Sequence, residues 1–252
     1  MYLMIENNMR GGIATISHRH AQANNPLVEG YDPSKPNSSI TYLDANNPYG
    51  TAMSEPLPVG NFRFLSPHEI SDIDVMKISA HGGMGYIIEC DLKYPEKLHE
   101  LHTDYPLAPE HLTVSPGMLI DFSSEIKAKN WKPSQKLILN LLDKTKYVCH
   151  YRNIQFYIKH GLILTKIQRI ISFDQKPWLK PWIDYSIERR KMAGDKFKSD
   201  LAKLQANATF GKTMEHVRHR VNVRLIGDPN KLAKAVNWPI FRCAKIKSGV
   251  WM

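Results

Sequence analysis

Cysteine is scarce in this chain. Cys90, Cys149 and Cys243 are widely spaced, odd in number and without a C-x-x-C pair. That excludes a disulfide scaffold and gives no zinc-ribbon spacing, since both need paired or closely spaced thiols. Long apolar runs are missing as well. No stretch approaches the roughly 18 to 20 residues of a membrane span, and the opening MYLMIENNMRGG lacks the basic and apolar regions of a signal peptide. The chain is therefore expected to be soluble and intracellular, in a compartment the sequence leaves open, with no membrane partner. Internal repeats and low-complexity tracts are absent too. What is present, 42% hydrophobic and 23% charged residues over 252 positions, suffices for one large or two small domains with a real core.

Acidic residues are the other deficit, and only in one half. Residues 1–126 hold 7 Lys and Arg against 16 Asp and Glu, whereas residues 127–252 hold 27 against 8. A basic half of this kind is the electrostatic footprint of a polyphosphate-binding surface, because each neutralised phosphate releases condensed counterions. A plain solvated basic face is the other reading of the same charge.

Turn residues punctuate the chain. Asn24-Asn25-Pro26 and the run from Tyr31 to Asn37 mark a loop. The β-branched and aromatic stretch Ser39 to Leu43 then predicts a strand that would hold Asp44 at its end. Residues 48–60 carry three prolines and two glycines, which rules out a long helix but leaves room for two turns over Tyr49 to Glu55. Further strands are expected over Tyr86 to Leu92, Tyr147 to His150 and Ile163 to Phe173, with a short helix from Asn153 to His160 closed by Gly161. A long helix is expected from Asp184 to Phe210, with Gly194 as its weakest interior position. Its apolar stripe would run through Ile187, Met192, Phe197, Leu201, Leu204 and Ala208. Arg189, Lys196 and Lys203, at heptad spacing, would line one side of that rod, and Lys203, Asn207 and Phe210 share nearly one face.

Three segments in order carry a likeness: Met9-Arg10-Gly11-Gly12; Asp44-Ala45-Asn46-Asn47-Pro48-Tyr49-Gly50 followed by Pro56-Leu57-Pro58-Val59-Gly60; and Lys203 to Gly211. Together they resemble the family B DNA polymerases, most closely the protein-primed branch of organellar, viral and transposon enzymes. Arg10-Gly11-Gly12 is similar to the Y-x-G-G motif that precedes the palm. Asp44 to Gly50 is similar to motif A, D-x-x-S-L-Y-P, and Lys203 to Gly211 to motif B, K-x-x-x-N-S-x-Y-G.

The resemblance implies an α/β (α+β) palm on an antiparallel sheet, with a helical fingers insertion. Residues 1–174 would be the first part of the palm, with an insertion after motif A. Residues 175–212 would be the fingers helices, and 213–252 the start of the palm's return. The implied activity is template-directed deoxynucleotidyl transfer in DNA replication, with two Mg2+ ions, a DNA template-primer, deoxynucleoside triphosphates and a terminal protein primer as partners. Asp44 would be the catalytic metal ligand, joined by the carbonyl of Ala45. Tyr49 would select deoxyribose, and Lys203, Asn207, Phe210 and Gly211 would hold the nucleotide, with Lys191 and Lys196 extending the basic rail. Arg10, Gly11, Gly12 and Lys212 would contact DNA.

Departures from the family pattern carry expectations of their own. Pro48 stands where leucine is usual and Gly50 where proline is usual, and a proline's fixed φ and missing N–H are expected to disturb the turn bearing Tyr49. Ala208 and Phe210 replace serine and tyrosine. The second catalytic carboxylate, from a D-T-D hairpin, has no counterpart after Gly211, where Asp228 in a Gly-Asp-Pro-Asn turn is the only Asp. The chain is thus expected to be a palm-and-fingers fragment, inactive alone; a non-catalytic nucleic-acid-binding remnant of such a polymerase is the alternative. Asp72-Ile73-Asp74 reads as a solvated loop rather than a displaced metal pair. Gly211-Lys212-Thr213 lacks the first glycine of a P-loop, and His99-Glu100-Leu101-His102 is one residue short of a zinc-protease helix. The interleaved basic and aromatic residues of Lys176-Pro177-Trp178-Leu179-Lys180-Pro181-Trp182 are of the kind that stacks bases of a single-stranded template, but the tryptophans are expected rather to anchor the base of the fingers.

Overall fold

A computed structural model describes residues 1–118, 133–215, 217–247 and 250–251. In chain order it forms α1 (Tyr2–Glu6), α2 (Pro48–Ser54), β1 (Leu57–Phe64), α3 (Pro67–Ser71), β2 (Met84–Lys93), α4 (His99–His102), β3 (Glu110–Thr113), β4 (Gln135–Ile138) and β5 (Lys144–His150). There follow α5 (Tyr151–Lys159), β6 (Ile163–Lys176), α6 (Lys180–Lys191), α7 (Lys196–Thr213), α8 (Pro229–Val236), β7 (Ile246–Lys247) and β8 (Val250–Trp251). The main sheet is antiparallel with strand order β1-β6-β2-β5, and β3–β4 and β7–β8 make two small sheets of their own. The chain is therefore a mixed α+β protein on an antiparallel sheet, the fold class that the resemblance implies.

Side-chain alternation explains the sheet. In β2, Ile88, Cys90 and Leu92 point to one face, where Ile170 of β6, Tyr147 and Cys149 of β5 and Tyr151 and Ile154 of α5 close the main core. The intervening Ile87, with Val148 and Ile171, points to the other face and is covered by Met4 and Ile5 of α1. Each fully buried aliphatic such as Ile88 or Ile170 contributes about 1.5–3 kcal/mol. Two polar pairs brace this frame. Arg169 donates to Glu89 through two bonds of 2.6 and 2.8 Å, and the fully buried Lys144 ammonium donates to Glu110 at 2.8 Å. The short helix α5 ends at Gly161, whose φ of +97° is a backbone state glycine adopts freely.

Three expectations are corrected. Residues 39–43 form no strand, and Tyr42 is 89% exposed. Strand propensity reflects packing against neighbours, and among the described residues this stretch has no strand partner, the isolated bridge from Asn24 reaching only Ser38 just before it. Asp44 accordingly lies in coil, not at a strand end. Conversely β1 forms despite Pro58 and Gly60, because it is an edge strand whose register shifts, with Asn61 at φ 55°, absorb both residues.

The long helix is in fact two. It breaks between Lys191 and Lys196, where the Asp195 carboxylate accepts the Lys198 N–H at 2.8 Å and caps a new start just after Gly194. Arg189 therefore leaves the rod that carries Lys196 and Lys203. Of the expected apolar stripe, Ile187 packs against the cluster that holds Leu179 and Ile183, but Met192, 83% exposed, Phe197, 75% exposed, and Leu204 face solvent, and α7 buries Ala202 and Ala206 instead.

Candidate functional site at the junction of α2 and α7

Asn47 sets the start of α2. It sits in the left-handed region at φ 51°, and its side chain accepts the Gly50 N–H at 3.2 Å. Pro48 follows at the first helical position, where an N–H would go unused and the fixed φ suits the helix. The disturbance expected of Pro48 is thus absent. Gly50 has its own reason: a Cβ there would lie 2.1 Å from the Asn47 amide nitrogen, so proline's place in the usual motif is taken by a residue that makes room for the cap.

The sheet then decides what α2 meets. Leu57, at the start of β1, pairs with Lys176, at the end of β6, so the chain leaving α2 runs beside the chain entering α6. Met53 packs with the buried Leu179 and Ile183. Helix α7 returns antiparallel to α6, and the Trp182 indole N–H donates to the Thr209 hydroxyl at 3.2 Å. As a result Tyr49 stacks on Phe210, with ring centroids 4.2 Å apart and planes 24° from parallel. Leu179 and Ile183 are the buried anchors of this junction; Trp182, 38% exposed, ties α6 to α7 through its bond to Thr209, while Trp178 is 55% exposed.

Along the chain from the stacked pair, Asp44 and Ala45 are exposed in the coil before α2, Asn207 is half-buried one turn before Phe210, and Lys203 is exposed a turn further back. Gly211 is exposed with open space about it. The structure does not bring the remaining candidates here. Lys196 begins α7, about 20 Å of helix from Phe210 at 1.5 Å per residue, and Lys191 ends α6 at the same tip. Lys212 pairs with Glu215. Arg10 turns inward, its guanidinium 4.0 Å from the centre of the Tyr147 ring and donating to the Val148 carbonyl at 2.7 Å, while Gly11 and Gly12 are exposed beside it.

Other ionisable groups are engaged in structural roles. Asp72 lies 3.4 Å from His68, and Asp74 caps the Met76 N–H and pairs with Lys77, which lowers its pKa. His102 Nδ1 and the Tyr94 hydroxyl share a 2.8 Å hydrogen bond. Burial pushes the Cys90 thiol up to about 12 and raises Cys149 also, so neither is a nucleophile.

The donor set can be weighed against magnesium, which takes six oxygens and often only one or two carboxylates beside substrate phosphates. Asp44 and the Ala45 carbonyl suit one such ion. They do not suffice for two, and among the described residues no group of three or more His, Cys, Asp or Glu side chains gathers. No described helix is long and apolar enough to cross a membrane. Compared with models of known protein families, with curated proteins and with solved structures, the chain matches none.

Proposed function

We propose that this chain carries part of the nucleotide site of a family B DNA polymerase of the protein-primed branch. The observation that supports the reading most strongly is the Tyr49–Phe210 stack, which joins the two segments resembling motifs A and B. Similarity along a sequence does not require such segments to touch; a shared nucleotide site does. In this reading the exposed Lys203 ammonium holds triphosphate oxygens, Asn207 faces the nascent pair, and the Tyr49 ring sits beneath the sugar, where it leaves no room for a 2′-hydroxyl. Magnesium, when bound, polarises the phosphoryl group and neutralises developing charge. Asp44 holds it with the Ala45 carbonyl, and the second carboxylate of a two-ion site comes from residues other than these. DNA template-primer, deoxynucleoside triphosphates and a terminal protein are the partners this implies.

Binding of a deoxynucleoside triphosphate with magnesium tests the site directly. Lys203→Ala is expected to weaken it about tenfold or more, as loss of a charge-assisted contact does. Unchanged affinity would remove the basis for the motif B assignment. DNA binding without primer extension by the whole gene product would favour the non-catalytic remnant.

A further inference from the structure

A second concentration of positive charge lies away from the α2–α7 junction. Residues 217–247 hold eight Lys and Arg and one carboxylate, Asp228. That carboxylate is occupied, accepting the Asn230 N–H at 2.8 Å as the cap of α8. On α8 and just beyond it, Lys231, Lys234 and Trp238 recur at three- and four-residue spacing and so share a face. Arg224 and Leu225 approach that face from the preceding segment, enclosing an open concavity of about 540 Å³. The Arg224 guanidinium lies 4.5 Å from the centre of the Trp238 ring. Trp238 remains 40% exposed, and none of the three cations pairs with a carboxylate among the described residues.

Three cations without a carboxylate partner beside an indole that Arg224 covers on one side and that stays 40% exposed match one chemistry well: phosphates for the charges and a flat base for the exposed part of the ring. Single strands offer unstacked base faces, and aromatic stacking plus a basic track is how such strands are held. A duplex keeps its bases stacked inside.

We propose that the Arg224–Lys231–Lys234–Trp238 pocket binds single-stranded DNA. The choice of DNA rests on the polymerase reading above; the pocket itself does not. In the test, the full chain is titrated against a short labelled oligo(dT) over a range of salt concentrations, with oligo(rU) and anionic phosphatidylglycerol vesicles as parallel arms. Lys231→Ala/Lys234→Ala should make the salt dependence shallower by about 1.4 in log–log slope, from two lost phosphate contacts at about 0.7 each. Trp238→Ala should weaken binding on the order of tenfold, and Trp238→Phe should restore most of it. Circular dichroism of each variant checks that α8 is retained.

Wild-type affinity and slope in the variants would overturn the proposal. So would tighter binding of oligo(rU), or binding confined to vesicles and lost in the same variants. Triphosphate affinity in Lys203→Ala and oligo(dT) affinity in Lys231→Ala/Lys234→Ala are read in separate titrations, so that loss of the nucleotide-site reading and loss of this one are separate results.

Discussion

The stack of Tyr49 on Phe210 has an energetic signature that can be worked out in advance. Phe210 is half-buried against the cluster of Met53, Leu179 and Ile183. A fully buried phenylalanine truncated to alanine costs about 3–5 kcal/mol, so Phe210→Ala should destabilise by about 2 kcal/mol. Tyr49 is 47% exposed and should cost about 1 kcal/mol. Stacked rings add about 0.5–1.5 kcal/mol beyond the area they bury. With one ring half in water the lower part of that range applies, about 0.5–1 kcal/mol. Urea unfolding of wild type, Tyr49→Ala, Phe210→Ala and the double variant closes a cycle that isolates this coupling. A coupling energy near zero, with the two single effects simply adding, would mean that the rings do not touch in solution. It would also withdraw the support that their contact lends to a shared site.

Two further predictions concern the frame. Glu110→Ala leaves the buried Lys144 ammonium without its carboxylate and should destabilise by about 3 kcal/mol, whereas Lys144→Met together with Glu110→Leu should recover most of that; urea midpoints decide it. Burial, and then the nearby Arg152 charge, lower His150 to about 4 from its ordinary 6.5. The unfolded chain thus takes up this proton first as pH falls. Stability from His150 is complete above about pH 6.5, declines by about 1.4 kcal/mol per unit between 6.5 and 4, and declines no further below 4. Stability measured across that window should be flatter in His150→Gln, and identical profiles would show that the ring is not held neutral.

Much of the frame was readable because the signal was local. Strands β2, β5 and β6 and helix α5 follow from alternation and from Gly161, each a property of a few neighbouring residues. The failures share a cause, which is that tertiary partners decided them. Ile40 to Leu43 have strand-forming side chains and no strand partner among the described residues, and β1, which no local signal marks, forms because Pro58 and Gly60 lie on an edge that tolerates them. The break was signalled by Gly194 and the Asp195 cap after it, local devices easily overridden by an apolar period running through them. For the site, Asp44, Tyr49, Lys203, Asn207 and Phe210 were found by resemblance, but nothing in their spacing said that Tyr49 would lie on Phe210. That follows from the Leu57–Lys176 register. Asn47 was missed too, although an Asn directly before Pro is a recognisable helix start. Leu179 and Ile183 were hidden behind the more conspicuous tryptophans on either side of them.

The central claim is tested most directly by magnesium-dependent primer extension on a DNA template, using the whole gene product that contains this chain, beside the same protein carrying Asp44→Asn. The reading predicts extension by the first and its loss, by about a hundredfold or more, in the second, because an amide cannot replace a metal-binding carboxylate. Extension that survives Asp44→Asn, or DNA binding with no extension in either protein, would contradict it.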